Sequence, residues 1–139
     1  MLELRAHSKS SPMHKIQTFA ELSGLSAETL RYYEKLGLLQ PARNAGGQRI
    51  YSDADAAWVA FLLRLKATDM PLAQICKYSQ LRHAGDSTLR ERYAMLLTHS
   101  ERLAEKQRIL AEHQAHLTNK LQIYQEMLHE QTTKNSRKK

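Results

Sequence analysis

A large apolar residue recurs every seven positions through the carboxyl-terminal part of the chain, and this repeat constrains the fold most strongly. The repeat is formed by Leu89, Leu96, Leu103, Leu110, Leu117 and Tyr124, with Leu121 and Leu128 in a companion series four positions further on. A spacing of seven aligns side chains along one face of an α-helix and is typical of coiled coils. We therefore predict one long helix over residues 87–131, roughly 65 Å long at about 1.5 Å per residue.

The predicted helix is too long to bury its apolar face against the short chain that precedes it. An identical helix is the simplest partner, because a symmetric dimer covers the same face on both copies. The middle of the companion series is polar, with Ser100, Gln107 and Gln114. Polar residues at such positions weaken packing but help to fix register. The chain is thus predicted to be a homodimer. Its predicted dimerisation residues are the eight large side chains Leu89, Leu96, Leu103, Leu110, Leu117, Leu121, Tyr124 and Leu128.

Composition restricts the class of protein and its surroundings. The formal net charge is +7 and the isoelectric point about 9.7, which permits a nucleic acid partner without requiring one. The single cysteine, Cys76, excludes an internal disulfide and fits a reducing cytoplasm. No apolar run is long enough for a membrane span, so no membrane partner is expected. Residues 1–13 are predicted to be a disordered leader, and residues 132–139 a disordered basic tail.

Residues 14–83 are predicted to form one small helical domain that begins with a helix-turn-helix. Thr18 opens the stretch "TFAE", which has the spacing of a capping box and predicts a helix start. Gly24 interrupts this helix, and Ser26 can cap a second helix that continues to about Lys35. Gly37 is expected to end the second helix in a left-handed conformation.

The stretch "PARNAGGQRIY" predicts a two-stranded hairpin, or wing, with its turn at Asn44, Gly46 and Gly47. Ser52 and Asp55 then have the spacing that caps a third helix. "TDMP" should break this helix near Asp69. Pro71 suits the first turn of a fourth helix that ends near Arg82.

The stretch "IQTFAELSGLSAETLRYYEKLGLLQPARNAGGQRIYSDAD" resembles the MerR family of bacterial transcription regulators. Its most specific parts are "LRYYEKLGLL" and "GQRIYS". The resemblance implies a mainly α fold, with a winged helix-turn-helix head and a long antiparallel coiled-coil dimerisation helix. It also implies a near-palindromic operator between promoter elements, activation by bending and untwisting of that DNA, and RNA polymerase as a partner.

The second helix is expected to present polar side chains to the major groove, and the wing to hold the neighbouring phosphates. Arg43 is open to two interpretations, a DNA contact or a solvated loop charge. Tyr33 should instead lie in the core beside Leu30. The candidate DNA-binding residues are Ser26, Glu28, Arg31, Tyr32, Lys35, Arg43, Arg49 and Tyr51.

The resemblance also limits the signal that the protein could sense. Metal-sensing members carry a cysteine at the start of the dimerisation helix and a cysteine pair after it, and this chain has neither. It is more similar to the short, aldehyde- or electrophile-responsive branch, whose cysteine would fall near Leu63 or Arg64. Cys76 is expected to pack beside Leu72 and Ile75, with a thiol sensor as the alternative.

No cofactor and no catalytic role are expected. The chain has no phosphate-binding glycine loop, no Ser-His-Asp arrangement and no plausible pair of carboxylates. His113 and His116 lie three residues apart and could share a metal ion, although such pairs are usually solvated. The main alternative function is a structural coiled-coil adaptor. A basic zipper and a small oxidoreductase centred on Cys76 are weaker alternatives.

Overall fold

The computed structural model describes residues 13–138, and most of the predicted leader therefore lies outside the described residues. The described chain divides into a head, which ends at Leu96, and a second unit, which begins at Leu97. The elements in chain order are β1 (His14–Lys15), α1 (Ile16–Ser23), α2 (Ala27–Lys35), β2 (Ala42–Arg43), β3 (Arg49–Tyr51), α3 (Asp53–Ala67), α4 (Leu72–Ala84), a 3₁₀ turn (Asp86–Thr88) and α5 (Leu89–Lys138).

Helices α1 and α2 form the predicted helix-turn-helix. Gly24 ends α1 with a φ of 76°, in the left-handed region that glycine adopts without strain. Ser26 caps α2 as predicted, because its side chain accepts a hydrogen bond from the Thr29 backbone N–H at 3.0 Å. The predicted start at Thr18 is wrong. The helix begins at Ile16, since Lys15 is held in a strand and the chain enters α1 directly from it.

The wing is a three-stranded antiparallel sheet with the order β1-β3-β2. The predicted hairpin pairs β2 with β3, and Arg43 lies opposite Arg49. Asn44 shapes the turn, because its side-chain oxygen accepts from the N–H groups of Gly46 and Gln48 at 3.0 and 2.9 Å. Strand β1 was not predicted, and it attaches the start of the described chain to the wing.

The third and fourth helices agree with the sequence patterns. Ser52 and Asp55 form a reciprocal capping box at the start of α3. The chain breaks at Asp69, which has a φ of 65°, a left-handed conformation that aspartate tolerates better than most residues. Helix α4 follows Pro71 and ends at Ala84, two residues beyond the predicted end at Arg82.

The head encloses one apolar core. Trp58 of α3 anchors it, because its indole N–H donates to the Leu38 carbonyl at 2.6 Å within the core. The predicted core position of Tyr33 is confirmed, since this side chain is buried. The buried residues of the core are Phe19, Leu30, Tyr33, Leu38, Leu39, Tyr51, Trp58, Val59, Leu62, Leu65, Met70, Ile75 and Tyr78.

Helix α5 is 50 residues long, about 75 Å at the usual rise of an α-helix. It begins at Leu89 rather than at residue 87, because the preceding three residues form the 3₁₀ turn. The predicted disordered tail is wrong for residues 132–138, which continue the helix. That stretch contains neither glycine nor proline, and the hydroxyls of Thr132 and Thr133 donate to carbonyls four residues earlier.

The heptad residues of α5 fall into different environments. Leu96 is partly buried against the core of the head, so it is not a free member of the predicted series. Leu103 is half-buried. The other predicted dimerisation residues are exposed, namely Leu89, Leu110, Leu117, Leu121, Tyr124 and Leu128. Among the described residues, no helix combines the length and apolarity that crossing a membrane requires.

Candidate nucleic-acid interface

One face of α2 is polar and exposed along its whole length. Glu28, Arg31, Tyr32 and Lys35 all lie on this face, and they follow one another at intervals of three, one and three residues. The opposite face carries Leu30 and Tyr33, which are buried. Because the buried face fixes the rotation of α2, the four polar side chains are presented outward together.

A cleft of about 500 Å³ joins this face to the wing. It brings together five of the eight predicted DNA-binding residues, Glu28, Arg31, Tyr32, Lys35 and Arg49, and adds Glu34, which was not predicted. Ser26 lies at the start of the same helix, where its hydroxyl caps α2 and donates to Thr29 Oγ1 at 2.9 Å. The sequence prediction thus gathered residues from α2 and β3 that the fold places side by side.

Glu34 bridges the two arginines of the wing. Its Oε1 accepts from Nε of Arg49 at 2.5 Å, and its Oε2 accepts from Nη2 of Arg43 at 3.2 Å. Nη1 of Arg43 also donates to the Gly47 carbonyl at 3.2 Å. The hydrogen bond that Arg49 donates to the Glu34 carboxylate raises the pKa of Arg49 above its ordinary value, so this guanidinium stays charged. Arg43 is thus paired within the head although its side chain remains 45% exposed, and its contact with DNA stays a prediction.

Tyr51 does not face outward as the sequence prediction required. Its side chain is fully buried, and its ring stacks on Phe19. The hydroxyl is buried and has no hydrogen-bond partner among the described residues. Burial is the main cause that raises the pKa of this phenol. The predicted phosphate contact through Tyr51 is thus inconsistent with the position of the side chain, because a three-residue strand turns this residue toward the core.

Cys76 lies on α4 and is half-buried. Its Sγ is 3.8 Å from the Leu36 carbonyl oxygen, in the geometry of a weak S–H donor. The predicted neighbours on the apolar face differ from each other, since Ile75 is buried whereas Leu72 is 46% exposed. The predicted packing stripe is therefore correct for Ile75 and wrong for Leu72.

Lys66 makes a contact that the sequence did not predict. Its Nζ donates to the Tyr33 hydroxyl at 2.9 Å, and the residue borders a second cleft of about 400 Å³.

His113 and His116, the predicted candidates for a shared metal ion, are exposed on α5. Within residues 13–138, no three or more His, Cys, Asp or Glu side chains are grouped so that they could hold a metal ion.

Residues 14–81 match the MerR HTH family of regulatory proteins. The chain is 33% identical to the HTH-type transcriptional regulator YyaN of Bacillus subtilis over 132 residues, which cover 86% of this chain and 96% of YyaN.

Two solved structures are similar in fold as well as in sequence. HiNmlR, a MerR family regulator lacking the sensor domain and bound to promoter DNA, matches with a TM-score of 0.72 and 31% identity, over 83% of this chain and 92% of HiNmlR. A MerR family regulator from Listeria monocytogenes matches with a TM-score of 0.74 and 28% identity, over 80% of this chain and 85% of that protein. The helix-turn-helix, the wing, the long helix and these similarities together show that the chain belongs to the MerR family of transcription regulators.

Proposed function

We propose that this regulator binds promoter DNA as a homodimer and controls transcription by distorting that DNA in response to a small-molecule or stress signal. The observation that carries the proposal is the cleft in which the polar face of α2 meets Arg49 of the wing. A protein that binds double-stranded DNA needs an exposed helix or strand pair that fits the major groove. It also needs cationic side chains that contact the flanking phosphates.

The two elements are assigned different tasks. Helix α2 enters the major groove, where Glu28, Arg31, Tyr32 and Lys35 reach base edges and nearby phosphates. Arg43 and Arg49 of the wing bind phosphates, which are contacts that fix position without reading sequence. Ser26 caps the amino-terminal end of α2 and so stabilises the helix that enters the groove. From this end of the helix its side chain can also approach the DNA phosphate backbone.

The exposed apolar residues of α5 support a dimer. A helix with Leu110, Leu117 and Leu121 open to water gains stability by pairing with a second copy. A two-fold dimer carries two heads related by symmetry, and such a dimer binds two half-sites of an inverted repeat. Bending the DNA between them costs several kcal/mol, which the phosphate contacts must offset.

The similarity to HiNmlR supports promoter DNA as the partner, because that protein was solved on promoter DNA and matches most of this chain. RNA polymerase is the expected second partner, and the cytoplasm, where bacterial promoters lie, the expected location. The adaptor alternative is not favoured, since it leaves the polar face of α2 and the paired wing arginines without a role.

Hydroxyl-radical footprinting on the DNA that flanks its own gene tests this proposal. We expect two protected patches related by a dyad, on an inverted repeat placed between promoter elements. Protection without symmetry, or no protection at low salt, would contradict the proposal.

A further inference from the structure

A single carboxylate connects α2 to both strands of the wing hairpin. Glu34 lies in the last turn of α2, whereas Arg43 lies in β2 and Arg49 in β3. The two arginines are direct partners in the strand register, so their side chains can converge on one acceptor. Each carboxylate oxygen of Glu34 accepts from a different arginine.

This carboxylate lies where electrostatics alone would disfavour it. A negative charge beside phosphate-binding arginines repels the DNA backbone, and it also offsets part of the positive charge that attracts DNA. The pairs add little to folding stability, because all three side chains are between 26% and 45% exposed. Glu34 therefore calls for an explanation other than attraction of DNA or stability of the head.

The hydrogen bonds leave the arginines able to bind a second acceptor. A guanidinium has five N–H donors, and among residues 13–138 Arg49 donates to Glu34 through Nε alone, so both Nη groups remain for a phosphate. Arg43 uses one N–H toward Glu34 and one toward the Gly47 carbonyl. The hydrogen bonds favour one orientation of both side chains before DNA binds, and this reduces the entropy lost on binding.

We propose that Glu34 is a positioning residue, which orients Arg43 and Arg49 toward the phosphate backbone and sets the angle between the wing and α2. This inference rests on the proposed function, since it assumes that the wing arginines bind DNA. Glu34 itself contacts neither bases nor phosphates.

The substitution Glu34→Gln separates positioning from simple charge, because the two effects have opposite signs. Removing a negative charge should strengthen DNA binding if charge alone matters. Glutamine has nearly the same shape as glutamate, but its side chain has only one acceptor atom. At least one of the two arginines therefore loses its hydrogen bond to residue 34. We expect Glu34→Gln to weaken binding to a mixed-sequence duplex by roughly 3- to 30-fold, which lies within the range of coupling between residues in contact. The salt dependence should become shallower as well.

The experiment measures affinity by fluorescence anisotropy over a salt series for the full chain. Wild type is compared with Glu34→Gln and Glu34→Ala across this series. The same two substitutions are also made in an Arg43→Ala/Arg49→Ala background, and the two backgrounds are compared at the low-salt end of the series. Glu21→Gln removes an exposed carboxylate of α1 and is the charge-matched control, expected to leave affinity unchanged or slightly raised. Circular dichroism verifies that each variant is folded.

Weakening by Glu34→Gln that disappears in the double-alanine background supports the positioning role. Stronger or unchanged binding by Glu34→Gln in the wild-type background would overturn it. Equal weakening in both backgrounds would also overturn it, since Glu34 would then act independently of the arginines. If wild type shows no salt-dependent binding, the proposed function itself fails, and this result is distinct from the others.

Discussion

Tyr51 lies flat on Phe19, with ring centroids 4.4 Å apart and ring planes 6° from parallel. Phe19 belongs to α1 and Tyr51 to β3, so this stack joins the helix-turn-helix to the base of the wing. This stack and the pairing of β1 with β3 attach the wing to the core of the head. A rigid wing is what the proposed phosphate contacts require, because a mobile one would lose entropy on binding.

The stack leads to a prediction about the Tyr51 hydroxyl. Tyr51→Phe should leave the free energy of unfolding unchanged, or raise it by up to about 1 kcal/mol, because the buried hydroxyl has no acceptor among the described residues. Tyr51→Ala should cost about 3–5 kcal/mol, as large-to-small changes of buried aromatic residues do. Urea unfolding measures both. A loss of DNA affinity in Tyr51→Phe would instead restore the phosphate contact that the sequence suggested.

Arg49 is predicted to contribute one phosphate contact. Arg49→Ala should weaken binding to operator and random DNA alike, and lower the salt slope by about one. Arg108→Ala is the matched control, because this arginine is ion-paired with Glu105 and Glu112 on α5, outside the head. Equal salt slopes for wild type and Arg49→Ala, with both folded, would remove Arg49 from the interface.

Leu117 is predicted to lie in the dimer interface. Leu117→Asp should shift the protein toward monomer, because a carboxylate would be buried against the partner helix. The adjacent exposed substitution Thr118→Asp adds the same charge off the heptad series and should leave the dimer intact. Sedimentation velocity distinguishes the two. A Leu117→Asp protein that remains dimeric would place the interface elsewhere.

Cys76 is predicted to pack rather than to sense. Cys76→Ser should change the free energy of unfolding by no more than about 1 kcal/mol, because the hydroxyl can donate to the Leu36 carbonyl that the thiol now approaches. Induction of a reporter by formaldehyde, methylglyoxal or diamide should persist in this variant. Loss of induction while DNA binding is retained would instead identify the thiol as the sensor.

The features that the sequence predicted well depend on hydrogen bonds between near neighbours. Ser26 caps α2 through a residue three positions on, and Ser52 pairs with Asp55 at the same spacing. Such contacts are determined locally, whatever the rest of the chain does. The hairpin was likewise predicted from its local turn residues, whereas the assignment of α2 to the major groove came with the MerR resemblance and stays a prediction.

The features that were missed depend on residues far apart in sequence. Strand β1 exists because Lys15 pairs with Ile50, and Glu34 reaches Arg49 only because the fold brings the hairpin against the end of α2. The three-residue strand β3 was too short to show whether Tyr51 points inward. Leu96 fits the heptad series, yet it packs on the head, because periodicity does not reveal which partner covers an apolar face.

Selection of duplexes from a random library by residues 1–139 measures directly whether this protein recognises an inverted repeat as a dimer. The measured quantity is the affinity for the selected duplex relative to a scrambled duplex of the same composition, at one fixed salt concentration. We expect an inverted-repeat consensus, bound by two copies of the chain and at least roughly 1000-fold more tightly than the scrambled duplex. Equal affinity for both duplexes, or a selected pool without dyad symmetry, would contradict a dimeric promoter-binding regulator.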